Sequence, residues 1–173
     1  VGHQCYTHKL LTGRYKRFGT LRQLDGLSGF PKPYESVHDA FIAGHASNSV
    51  SVAVGMALAG KMDGRDYRVY TIMGDGELAE GSVWEGAMSG GNYQLDNLCA
   101  LVDRNRLQIS GSTEDVMKQD SQEERWAAFG WNVLSIPGND VRAIDAALTL
   151  AAETCGKPTV IILNTCLLYT SDA

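Results

Sequence analysis

No apolar run in the sequence approaches eighteen residues, and no charged start followed by an apolar stretch opens it. Neither a membrane-spanning helix nor a secretory signal is therefore expected. Basic residues are also scarce: 15 Lys+Arg stand against 20 Asp+Glu, a net charge of −5. A dedicated nucleic-acid binder needs a basic footprint to neutralise phosphates, and this chain offers none. No two cysteines form a CxxC pair. Cys5, Cys99, Cys155 and Cys166 are scattered, with Cys99 inside an apolar run, and they read as structural thiols in a reducing, cytoplasmic setting. No GxGxxG follows a strand-like run, which disfavours a dinucleotide-binding domain. Disorder is excluded too, because 44% of the 173 residues are hydrophobic, ample for the core of one domain.

What is present alternates between two patterns. Short β-rich runs cover 69–73, 98–102, 131–136 and 159–163, each ending in turn residues or the chain's last segment. Between them lie apolar residues at helical spacing: Val50, Ala53, Val54 and Ala57 before a 61–66 loop, and Leu78, Val83, Trp84, Ala87 and Met88 before Gly90-Gly91. Ser121 with Glu124 predicts a capped helix that stops at Gly130, and Asp140 a second one that stops at Gly156. Strands alternating with helices predict an α/β fold: an open, mostly parallel sheet with helices on both faces. Residues 1–45 differ, being polar and Gly-rich, and read as loop and short helix.

In such a sheet, ligands belong at the C-terminal ends of the strands. Gly74-Asp75-Gly76 closes the first strand and Asn105 follows the second, thirty positions after Asp75. Alone, each is an ordinary turn. If the strands are neighbours, one carboxylate and one amide oxygen converge into a sparse hard-oxygen site suited to Mg2+. Glycines at 74 and 76 would let the backbone approach a diphosphate, with the next helix aiming its N–H groups at the anion.

This pairing of Gly-Asp-Gly with a later Asn resembles the thiamine-diphosphate motif. GDGELAEGSVWEGAM over 74–88, LDNL over 95–98 and VDRNRLQ over 102–108 look like the N-terminal part of transketolase. GHQCYTHKLLTGR over 2–14, TLRQ over 20–23, GFPK over 29–32 and GHAS over 44–47 resemble instead 1-deoxy-D-xylulose-5-phosphate synthase. The resemblance implies a thiamine-diphosphate-binding fold over 1–165, as a fragment of a larger enzyme, with Asp75, Asn105 and the Leu107 carbonyl as Mg2+ ligands. It implies that Gly74, Gly76, Glu77 and Asn105 line the cofactor, and that His3, Gly44, His45 and Ala46 contact it, His3 and His45 as catalytic groups. Ala46 stands where the family usually has serine. His8 also matches a family histidine, with a weaker case than either.

The implied reaction joins pyruvate to glyceraldehyde 3-phosphate, as the synthase does. The alternatives are two-carbon transfer between sugar phosphates, by transketolase or its N-terminal subunit, and a non-catalytic phosphate-binding domain. The family places the glutamate that activates the aminopyrimidine in a second domain. A dimer is therefore expected, together with a pyrimidine-binding domain or subunit. Residues 166–173 depart from the family pattern and read as an unrelated tail. Trp84, Met88, Trp126, Phe129 and Trp131 are expected in the core. His38, Arg14, Lys16, Arg17, Arg22 and the cluster Glu123-Glu124-Arg125 are expected at a solvated surface.

Overall fold

The computed structural model describes residues 4–39, 48–119 and 121–166. The chain divides into two compact units, Val1–His45 and Ala46–Ala173. In the larger one, four parallel strands stand in the order β1 (Val69–Gly74), β2 (Leu98–Arg104), β6 (Thr159–Asn164), β5 (Asn132–Pro137). All four runs anticipated from β-rich composition are strands. β2 is buried at six consecutive positions, as the centre of a parallel sheet must be. β1 lies at an edge and alternates, Val69, Thr71 and Met73 turning inward while Tyr70 and Ile72 stay exposed.

Helices cover both faces, as the alternation predicted. On one, Val69, Met73, Ala100, Val102, Val160 and Ile162 pack with α2 (Ser49–Met62), α3 (Gly81–Asn92) and Trp126 of α5 (Gln122–Ala128). On the other, Cys99, Leu101 and Ile161 meet Ala147 and Ala151 of α6 (Val141–Glu153). The predicted caps form. Ser121 accepts from the Glu124 amide at 3.2 Å, and Asp140 accepts from the Arg142 amide at 2.9 Å. Gly130 follows the cap of α5 at φ +83°, the left-handed conformation that stops a helix without a Cβ penalty. Gly156 is not the stop of α6: that helix ends at Glu153 because Thr154 turns extended, two residues ahead of Gly156.

Some expectations are corrected. Gly90-Gly91 does not end α3, which runs on to Asn92. A Cβ on Gly91 would lie 1.8 Å from the Phe129 carbonyl oxygen, and one on Gly90 2.9 Å from Trp131. These glycines permit close packing rather than a turn. Trp126 and Trp131 are buried and Trp84 and Phe129 pack against them, but Met88 is exposed. Arg125 lies over the Trp84 ring, 5.5 Å from its centroid, and Glu123 bonds Arg104 at 3.3 Å. Within that cluster Glu124 is exposed, while Glu123 and Arg125 are half-buried. A two-stranded hairpin, β3 (Leu107–Gln108) with β4 (Gly111–Ser112), and a short α4 (Thr113–Val116) were not anticipated.

In the smaller unit, α1 (Gln4–Lys9) is followed by a wider π-type turn, Leu10–Arg14, kinked at Thr12 and Gly13, and then by a tight 3-10 segment, Tyr15–Thr20. Arg14, expected at the surface, is buried and forks onto Asp39 at 2.5 and 3.2 Å. Cys5, Cys99, Cys155 and Cys166 are free thiols, the last two exposed. Among the described residues, no helix is long and apolar enough to cross a membrane.

Candidate functional site

β1 and β2 pair in register, Gly74 opposite Asp103, so the residues after each strand emerge side by side at the C-terminal end of the sheet. The Asp75 amide donates to the Asp103 carbonyl at 3.2 Å, extending the ladder by one bond. The Asp75 carboxylate is buried, at 1% exposure, and both its oxygens accept backbone N–H groups. Oδ1 takes Gly76 at 2.8 Å and Oδ2 takes Arg106 at 2.6 Å. The second bond ties Asp75 to the very turn that carries Asn105. Burial pushes the Asp75 carboxyl above its ordinary range, and the Asp103 charge adds to the rise, while the two amides oppose it.

Asn105 is half-buried, and its Oδ1 accepts the Leu107 amide at 3.0 Å. This local turn swings through Arg106, whose φ is +64°, and delivers the chain into β3. Leu107 pairs with Ser112 and Gln108 with Gly111. Asp75 and Asn105 thus both stand at the C-terminal end of the sheet, after neighbouring strands. The adjoining Leu107 is half-buried there too.

Gly76 begins a four-residue 3-10 turn, Gly76–Ala79, and α3 starts only at Gly81. The helix that follows the glycine motif at once is thus this short 3-10 turn, and the Gly76 amide at its head is engaged by Asp75. Gly76 is required for another reason. A Cβ there would stand 2.9 Å from the Gln108 Cβ, so only glycine lets the hairpin close on the loop. Glu77 turns back, its carboxylate accepting the Ser49 hydroxyl and, at 3.4 Å, the Gly74 amide. His3, Gly44, His45 and Ala46 lie outside the described residues. His8 is described: its Nε2 stands 2.6 Å from Asp39 Oδ1. His38 is exposed, as expected.

Among the described residues, no group of three or more His, Cys, Asp or Glu side chains could hold a metal ion. The set at hand has a different chemistry, with one carboxylate, one amide oxygen and a backbone carbonyl. These are hard, mostly neutral donors that suit Mg2+ and leave coordination positions for phosphate oxygens and water. A further observation fits a polar ligand here. The Gln108 side-chain oxygen, packed against Gly76, is buried with no hydrogen-bond partner among the described residues. No local sequence pattern marks Gln108, because its place depends on the hairpin folding back over Gly76.

Known proteins resemble this chain over most of its length. The family model described as 1-deoxy-D-xylulose-5-phosphate synthase matches residues 1–133. An apulose-4-phosphate transketolase subunit of Phocaeicola vulgatus is 50% identical over 122 residues, 70% of this chain and 43% of that one. A 1-deoxy-D-xylulose-5-phosphate synthase of Pelotomaculum thermopropionicum is 49% identical over 110 residues, 64% of this chain and 17% of that one. The transketolase structure from Campylobacter jejuni superposes with a TM-score of 0.87 at 29% identity, covering 95% of this chain and 27% of that one. This chain thus spans less than half the length of these relatives. The chain belongs to the 1-deoxy-D-xylulose-5-phosphate synthase family and carries an N-terminal domain of the thiamine-diphosphate-dependent transketolase type.

Proposed function

We propose that this chain holds the diphosphate and divalent-cation end of thiamine diphosphate in an enzyme that forms carbon–carbon bonds. The observation that carries this reading is the buried Asp75 carboxylate, bonded to the Arg106 amide beside Asn105 at the C-terminal sheet end. Asp75, Asn105 and the Leu107 carbonyl would hold Mg2+. Gly74, Gly76 and Glu77 would line the diphosphate, with Gly76 keeping the loop free of a Cβ. When bound, thiamine diphosphate supplies the nucleophilic carbon and the electron sink. The residues of this domain orient it and neutralise its charge. His3 and His45 would act at the cofactor as proton-handling groups, and Gly44 and Ala46 would contact it.

We assign pyruvate and glyceraldehyde 3-phosphate as substrates, on the dense synthase-like motifs over 2–47 and the family match. The 50% identity to a transketolase subunit favours a second reading, two-carbon transfer between sugar phosphates with a separate partner subunit. In either case a pyrimidine-binding domain or subunit completes a dimeric, cytoplasmic enzyme. Calorimetric titration of the complete enzyme with thiamine diphosphate and Mg2+ tests the site. Asp75→Ala should abolish Mg2+-dependent cofactor binding, and retained binding would reduce the motif to a turn. Product analysis with each substrate pair then separates the two branches.

A further inference from the structure

Gln108 follows the Leu107 carbonyl directly and reaches back across the loop that carries Asp75. Its Cβ and Oε1 would lie 2.9 and 3.5 Å from a Cβ on Gly76, so the carboxamide rests on the middle of the glycine motif. The oxygen is buried and meets no donor among the described residues. Leaving a buried acceptor unpaired costs about 1–3 kcal/mol, so such an atom calls for a donor that arrives with a ligand. Nearby amides are committed: Gly76 and Arg106 to Asp75, and Leu107 to Asn105. A diphosphate offers acceptor oxygens and cannot satisfy another acceptor. A divalent cation such as Mg2+ retains water, and water on a cation is a strong donor.

We propose that Gln108 is a positioning residue whose side-chain oxygen accepts a hydrogen bond from a water molecule on the cation bound at Asp75 and Asn105. The inference rests on the cation-and-diphosphate reading above and adds to it a residue beyond the ligands themselves. Outer partners of this kind orient the bound water and are commonly worth about 10–100-fold in metal affinity. Gln108 also couples the hairpin to the glycine loop, so cation binding should draw 107–112 and 74–76 together.

The test uses the complete enzyme with thiamine diphosphate and Mn2+ in place of Mg2+, free Mn2+ being read by electron paramagnetic resonance. Gln108→Leu should weaken Mn2+ binding about tenfold. The cation-free variant should melt at or above the temperature of the parent, because an unpaired buried acceptor has been removed. Gln108→Glu, a stronger acceptor of similar shape, should restore the affinity. A residue serving only the fold would show the reverse: a lower melting temperature in Gln108→Leu and an unchanged Mn2+ affinity in the folded protein. That result, or Gln108→Glu binding as poorly as Gln108→Leu, would overturn the proposal. Asp75→Ala run in parallel separates the two levels. If it loses Mn2+ while Gln108→Leu does not, the role of Gln108 alone fails; if it keeps Mn2+, the cation site itself fails.

Discussion

Asp39 has a fully buried side chain in a unit with little apolar interior. Arg14 grips it with two nitrogens, and His8 bonds the oxygen Arg14 holds at 3.2 Å. Lys9, also fully buried, bonds Glu35 and the Phe30 carbonyl, and Glu35 accepts the Ser28 amide at 2.6 Å. Ions taken from water are tolerated only when paired in this way, and removing one partner strands the other. Asp39→Asn removes the forked partner of Arg14 and leaves Glu35, at 3.5 Å, as its remaining counter-ion, an expected loss of about 1.5–3 kcal/mol. Hydrogen exchange of the α1 amides reads this loss directly. Acid should produce the same effect. Burial pushes the Asp39 carboxyl up, but the bonds from Arg14 and His8 outweigh it and hold the group at about 2, below its ordinary 3.8. Because the folded value is the lower one, the stabilisation is complete above the ordinary value and is lost as pH falls from about 4 toward 2. Exchange protection unchanged across that window would show that the pair contributes nothing.

At the scale of elements, glycines in helices have opposite consequences according to what lies beside them. Gly55 sits in the exposed middle of α2, and nothing lies within 4 Å of the point a methyl group would occupy. Gly55→Ala should therefore stabilise the domain by about 0.5–1 kcal/mol. Gly91→Ala would drive a methyl into the Phe129 carbonyl and should destabilise it by about 1–3 kcal/mol. Urea denaturation followed by tryptophan fluorescence measures both, since Trp84, Trp126 and Trp131 all lie in the larger unit. The same pair shows where sequence reading stops. A Gly-Gly after a helical pattern reads as a stop, and only the approach of the Phe129 segment reveals it as a packing surface. The strands were legible because short β-rich runs bounded by turn residues have few other solutions. The 107–112 hairpin was not, because two-residue strands are too short to show a period.

Across the whole molecule, the candidate site was half legible. Asp75 and Asn105 stand out because each follows a buried run and parallel pairing brings strand ends together. Gln108 depends on its contact with Gly76, and Arg14 and Asp39, in the smaller unit and outside the site, on their contact with each other; no local pattern records either. Arg14 illustrates the difficulty: a cation in a polar stretch reads as solvated until its carboxylate partner, 25 positions on, is found beside it.

The division of labour in this fold leads to a final expectation. The 173-residue chain by itself should bind cofactor weakly and turn nothing over. The far end of thiamine diphosphate needs a carboxylic acid to handle its proton and a dry, apolar wall around the reacting ring. The acids at the described sheet end are already engaged. Asp75 holds two backbone amides, Asp103 bonds the Thr165 hydroxyl, and Glu77 bonds Ser49 and the Gly74 amide. On the proposed reading the acid is expected from another domain or subunit. The purified chain should be assayed with thiamine diphosphate, Mg2+ and either pyruvate plus glyceraldehyde 3-phosphate or a ketose and aldose phosphate pair. Product should form only when the pyrimidine-binding partner is added, and Asp75→Ala in the chain should remove it again. Turnover by the chain alone would show that its own side chains reach both ends of the cofactor.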